Sequence, residues 1–121
     1  MVTACSDNQL PDGMNEDELF HAGKDVMLLL VNGEYEAVHA MLREDQRAVI
    51  TVDAIRDAVL DQLEDAGEYK QINDHMATGQ VIAGERYGVS VLYCDFAEED
   101  VLFRISFDAQ MRLVGFALKQ Q

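Results

Sequence analysis

Two stretches of this chain, Glu18-Leu-Phe-His21 and Glu36-Ala-Val-His39, share the spacing Glu-x-x-His. On a helix that spacing sets a carboxylate and an imidazole on one face, as di-iron bundles require. Those bundles also need four long helices and two further inward carboxylates, whereas the second half of this chain is patterned as strands. Asp17, His21 and Asp25 lie four apart along one helix edge and read as a solvated, mildly stabilising charge row. His75 beside Asp74 has the makings of a general base, but no nucleophile or oxyanion donor stands near it in sequence, so it reads as surface. Ser90 and Cys94 fall on the expected core face without a paired base, and Cys94 reads as a small buried thiol. There is no glycine-rich phosphate loop, no GxSxG elbow and no HExxH. The expectation is therefore no catalytic residue, no cofactor and no metal.

Composition narrows the partners. With 9 Lys and Arg against 23 Asp and Glu, the net charge of -14 repels phosphate backbones and anionic lipid head groups, so nucleic acid is excluded as a partner. A chain of 121 residues that is 49% hydrophobic, with one Pro and eight Gly, suits one self-sufficient core and neither disorder nor low complexity. Two cysteines, Cys5 and Cys94, are too few for a disulfide framework and lack zinc spacing.

At the start, Val2-Thr3-Ala4-Cys5 resembles the bacterial lipobox position by position: an aliphatic residue, two small residues that fit a peptidase cleft, and a thiol that carries diacylglycerol. That resemblance implies an extracytoplasmic, lipid-anchored protein with Cys5 as the lipidation candidate; without it the expected address is cytoplasmic. Residues Ser6 to Met14 are polar and hold the only proline, Pro11, next to Asp12-Gly13, a tether composition. The expected organisation is a lipobox-like start and flexible tether over 1–14 and one α+β domain over 15–121. No apolar run approaches the ~20 residues of a membrane-spanning helix, so membrane contact comes only through lipid.

Three helices are predicted for the first half. Asn15 caps a helix whose first turn is acidic and in which Glu18 completes a capping box; its buried stripe is Leu19, Phe20, Gly23, Val26, Met27 and Leu30, and Asn32-Gly33 stops it. A second runs from Glu34 to Arg43. A third starts after Thr51, buries Val52, Ile55, Val59, Leu60 and Leu63, and ends at Gly67.

From Tyr69 the pattern turns to strands over Tyr69 to Ile82, Tyr87 to Phe96, Val101 to Phe107 and Arg112 to Leu118, with Gly79 interrupting the first. Short connections make these an antiparallel meander. The connections predict that Phe96 faces Val101, Cys94 faces Phe103 and Leu92 faces Ile105. In the next hairpin Phe107 faces Arg112, Ile105 faces Val114, Phe103 faces Phe116 and Val101 faces Leu118. One face then gathers the phenylalanines and must be the one that the helices cover. The other carries Val89, Val91, Tyr93, Leu102, Arg104, Leu113, Gly115 and Ala117, more apolar than a wet face usually is. Val89, Val91, Tyr93, Leu102, Arg104, Leu113 and Ala117 are thus candidates for an interface with a second copy or a partner protein.

Helices followed by a final meander, with "LVNGEYEAVHAML" ahead of "YGVSVLYCDFAEEDVLFRISFDAQMRLVGFALK", resemble an uncharacterised bacterial and archaeal family, the domain of unknown function numbered 3887, over about Leu29 to Lys119. The resemblance implies a nuclear-transport-factor-2-like or cystatin-like fold, in which helices sit in a curved sheet and often enclose a pocket, and it brings no known catalytic residues. In that family the last hairpin usually turns through Gly, where this chain has Asp108-Ala109-Gln110-Met111, so the geometry of this turn stays open, and a left-handed residue in it would cost Gln110 or Met111 about 1 kcal/mol relative to Gly. The functional expectation is a noncatalytic binding or protein-interaction module of an envelope lipoprotein, taking a small apolar ligand or another protein. The alternative is a small enzyme with an acid/base pocket in the cone between helices and sheet.

Overall fold

The computed structural model describes residues 9–121. Helix α1 (Glu16–Val31) begins where Asn15 Oδ1 accepts the Glu18 N–H at 2.9 Å, while the Glu18 carboxylate accepts from Asn15 Nδ2 at 2.8 Å. It ends in a Schellman turn, the Gly33 N–H donating to Leu30 O and the Glu34 N–H to Leu29 O. Helix α2 (Tyr35–Met41) follows at once, then a single helical turn, α3 (Glu44–Arg47), and then α4 (Val52–Leu63), whose cap Thr51 accepts the Ala54 N–H. Among the described residues four helices thus stand where three were expected. The extra turn, Glu44-Asp45-Gln46-Arg47, buries no residue and so leaves no apolar period to detect.

Strands β1 (Tyr69–Ile82), β2 (Glu85–Phe96), β3 (Asp100–Phe107) and β4 (Leu113–Gln120) form one antiparallel sheet in the order β1-β2-β3-β4. β1 runs unbroken through Gly79, which pairs with Gly88; its irregularities lie instead between Tyr69 and Gln71 and between Ile72 and Asp74. The β1–β2 connection is the two-residue turn Ala83-Gly84 rather than a four-residue loop, both residues having positive φ, the geometry that suits the twist of paired strands.

Each later hairpin is offset by two residues from the expected register. Leu92 faces Phe103, Cys94 faces Val101, Ile105 faces Phe116 and Phe103 faces Leu118. The β2–β3 turn is the reason: Asp95 pairs with Asp100, and Phe96 is drawn into the corner, its N–H donating to Glu99 O. Because side chains alternate with period two, an offset of two keeps each residue on its face. Phe96, Phe103 and Phe107 are buried and Phe116 packs against the same cluster, together with Leu19, Val26, Met27 and Leu30 of α1 and Ile55 and Val59 of α4. The exception is Leu113. An irregularity between Ser106 and Phe107 sets Leu113 opposite Phe107, so Leu113 is buried in the core instead of lying on the outer face, and Val114 lines the outer face instead.

Candidate functional site

Of the depressions among the described residues, two bear on ligand binding, and one ion network gathers charged groups between the helices and the sheet. The first depression, about 530 Å³, opens where the helices and the sheet part company. The C-terminal end of α1 gives Leu30, Val31 and Asn32, and Tyr35 opens α2. The last turns of α4 give Val59, Leu60, Leu63 and Glu64, and the sheet contributes Tyr69 and Phe96. Its floor is the rim of the core, since Leu30, Val59 and Phe96 are buried, and Tyr69 meets Phe96 edge-on with ring centroids 5.6 Å apart. Leu60, expected on the buried stripe of its helix, is 44% exposed at the groove mouth.

Backbone contacts hold the groove open at one end. The Ala97 N–H donates to Glu68 O and the Glu98 N–H to Ala66 O, tying the β2–β3 turn to the loop that follows α4. Gly67, with φ of 84°, sits where a Cβ would press on Ala97 and Glu98 at 3.0 to 3.3 Å, so this joint needs glycine for both its conformation and its space. At the other side, Gln120 donates from its backbone and its side chain to Gln62, fastening α4 to the end of β4.

The ionisable groups of the groove are few. Hydrogen bonding from Lys70 holds the Glu68 carboxyl below its ordinary range, and burial pushes the Tyr69 phenol up, with the nearby Cys94 adding to it. Cys94 itself is buried, its thiol pushed up to about 12 by desolvation first and by the charge of Asp95 second, so it is protonated at neutral pH.

The ion network centres on Arg43, between α2 and α3. Its guanidinium grips Asp45 through two bonds of 2.8 and 2.9 Å, reaches Glu85 at 2.7 Å and touches Asp108 at 3.2 Å. Its backbone N–H donates to Leu113 O, and Leu42 forms a parallel bridge with Leu113, so this segment runs beside the start of β4. Asp108, fully buried, organises the β3–β4 turn: its carboxylate accepts from the backbone N–H groups of Gln110 and Arg112 and from Arg112 Nε at 2.7 Å. That turn carries its left-handed residue at Met111, with φ of 62°. Tyr87 donates its hydroxyl to Glu85 at 2.7 Å. Every carboxylate here serves a partner within the fold, so the network is architecture that fixes α3 to the sheet.

The second depression, about 400 Å³, lies on the outer sheet face, with Gln46 of α3 at its rim. Here the expected interface residues separate. Val89 and Val91 are buried by the chain itself, so they offer a partner little area, and Leu113 is in the core. Tyr93 and Leu102 are half-buried, and Arg104 and Ala117 are exposed and line the depression's side of the sheet. Cys5, the lipidation candidate, lies outside the described residues.

The histidines and carboxylates of the Glu-x-x-His pairs do not converge. Among the described residues no group of three or more His, Cys, Asp or Glu is placed to hold a metal ion. Glu18 is occupied as a capping partner. His75 is exposed, as its sequence suggested, but its ring lies 4.1 Å from that of Phe20 and closes the gap between α1 and the edge strand β1, a contact sequence spacing could not foresee. A pocket between helices and sheet was expected from the family resemblance, but the residues that line the groove and the Arg43 network were missed, since their members come from distant segments. The only local signals were a helix stripe wider than its contact, which Leu60 betrays, and an aspartate starting a turn that lacks glycine.

No helix among the described residues is long and apolar enough to cross a membrane. A family model described as "Protein of unknown function (DUF3887)" matches residues 23–116. A solved NMR structure of a protein from Ruminococcus gnavus ATCC 29149 is similar with a TM-score of 0.78 at 23% identity, over 90% of this chain and 95% of that one, which speaks to the fold alone. No curated protein matches the chain.

Proposed function

The chain belongs to the DUF3887 family of proteins of unknown function, and on that premise we propose that it is a noncatalytic binding module, carried at the bacterial envelope by lipid on Cys5, whose groove between helices and sheet takes a small apolar molecule. One observation carries this reading: a depression of about 530 Å³ whose floor is core side chains and whose walls include the half-buried Tyr35 and Tyr69. That volume and that mix of apolar floor and aromatic wall are what small-molecule sites share. Glu64 and Glu68 at the rim, in a chain of net charge -14, favour a neutral occupant over an anion. The noncatalytic part is supported by what the groove's perturbed groups would do near neutral pH. Glu68 stays ionised beside Lys70 and Tyr69 stays protonated, so neither is poised to exchange a proton with a substrate.

Titration with the neutral dye Nile red tests the groove. Leu60→Glu puts a charge at the mouth without opening the core and is expected to weaken dye binding at least about tenfold, the equivalent of ~1.4 kcal/mol, while Val49→Glu, on a side chain 72% exposed and outside the groove, leaves it unchanged. Equal binding by wild type and Leu60→Glu would remove the groove from consideration. The envelope address has its own test, mass spectrometry of the protein produced in a bacterium with its native upstream region: a diacylglycerol mass on Cys5 is expected, and a free thiol there refutes the anchor.

A further inference from the structure

The outer-face depression differs in kind from the groove. Polar side chains from three of the four strands line it with Arg104: Gln80 of β1, Tyr87 of β2 and Ser106 of β3, joined by Gln46 from α3. Its floor near Arg104 is small, because Arg104 pairs with Val91 on one side and with Ala117 on the other, and Ser106 pairs with Gly115. Ile82 and Val114 add an apolar flank.

The charge pattern makes Arg104 unusual. Acidic side chains outnumber basic ones 23 to 9 in this chain, and the other arginines are all engaged: Arg43 and Arg112 with Asp108, Arg56 with Asp53, Arg47 with Leu42 O and Arg86 with Gln9 O. Arg104 alone makes no hydrogen bond or ion pair with any described residue. The register explains why. The acids of this face sit at its two ends: Glu85 at one, already held by Arg43 and Tyr87, and Asp74, Asp95 and Asp100 at the other. Between them the strands present Val89, Val91, Ser106, Gly115 and Ala117, none of which can accept a guanidinium's charge.

We propose that this depression is a second binding site, for a small carboxylate with an apolar body, its carboxylate held by Arg104 in a two-bond fork and its body lying toward Ile82 and Val114. The planar guanidinium matches a carboxylate bidentately, the Ser106 hydroxyl and the Gln80 and Gln46 amides supply further donors, and about 400 Å³ is within the range that small ligands fill. A free fatty or amino-acid-like carboxylate and the carboxyl end of a peptide share this chemistry.

The test is amide NMR titration of the whole protein with hexanoate, with hexanamide as the uncharged counterpart, and with acetyl-Leu-Leu bearing a free or an amidated end. Hexanoate or the free-ended peptide is expected to move the amides of Ser106, Gly115 and Ala117, the corresponding amides much less; which of the two acids binds identifies the source. Arg104→Gln is expected to weaken that binding at least tenfold, Arg104→Lys to recover part of it, and Lys119→Gln to leave it unchanged. Arg104 is exposed and makes no bond within the fold, so the variants fold as the wild type does, which their unperturbed core amides will show, and Nile red binding in the groove persists in Arg104→Gln. No shift in the wild type with either acid, equal shifts with acid and amide, an unchanged affinity in Arg104→Gln, or shifts centred on Leu60 instead would each overturn the proposal.

Discussion

Asp108 shows how much a single side chain can settle. Burial by itself would raise its carboxyl, yet the backbone and side chain of Arg112, then Arg43 and the Gln110 N–H, hold the carboxyl below its ordinary range. Its charge is thus an asset only while those donors surround it. Asp108→Asn keeps the shape but leaves two guanidinium groups facing an amide, and breaking a buried ionic contact in this way destabilises by about 3 kcal/mol, to be measured by urea unfolding at neutral pH. The sign of the pH dependence follows from the depressed folded-state value. The stabilisation is fully present above the unfolded carboxylate range, near pH 4, and is lost as pH falls through the lower folded value. Wild type should therefore lose stability below about pH 4 more steeply than Asp108→Asn, and parallel curves for the two would refute the assignment. From sequence, the cost that a left-handed residue would carry at Gln110 or Met111 was visible, because the glycine usual in the family's turn is replaced here. The buried carboxylate that makes it tolerable was not, since its partner Arg43 is 65 residues away.

At the scale of elements, α1 lies on β2 through one close approach, where an ideal Cβ on Gly23 would overlap the Oγ and Cβ of Ser90. Gly23→Ala gains about 1 kcal/mol of helix propensity but must push the helix off the sheet. Overpacking of this kind costs about 1 to 3 kcal/mol, so we expect net destabilisation by about 1 kcal/mol. Removing the obstacle should reverse the sign of the interaction: in Gly23→Ala with Ser90→Gly the two effects will be less than additive, and strict additivity would show that the contact does not set the helix height. Gly23 was placed on the buried stripe from spacing alone, and correctly so, but Ser90 as its counterpart was not legible because a sequence gives a strand's faces without saying which helix turn lies over them. The same limit explains the strands. Alternation fixed which residues share a side, and survived an offset of two in both hairpins, while Leu113 and Val114 traded sides through an irregularity that leaves no mark in the hydrophobic pattern.

For the molecule as a whole, the helices-then-meander order and the covered sheet face follow from periodicity, because burial of large side chains on one face admits few alternatives. The places offered to ligands do not follow, being assembled from the ends of several elements. Charge is the property that the whole chain shares, and its effect on stability can be decided by distance. The Arg43 contacts are short and partly shielded, so salt weakens them little, whereas the remaining acids repel one another over the surface at a range comparable with the Debye length of ~30 Å at 0.01 M salt and ~8 Å at 0.15 M. The unfolded chain spreads those charges apart and suffers less. Raising NaCl from 10 to 150 mM should therefore stabilise the folded state, by about 1 kcal/mol or about 4 °C in Tm for a chain of this size, read by thermal unfolding at pH 7. A fall in Tm over the same range would mean that attraction within the ion network outweighs the net charge of -14.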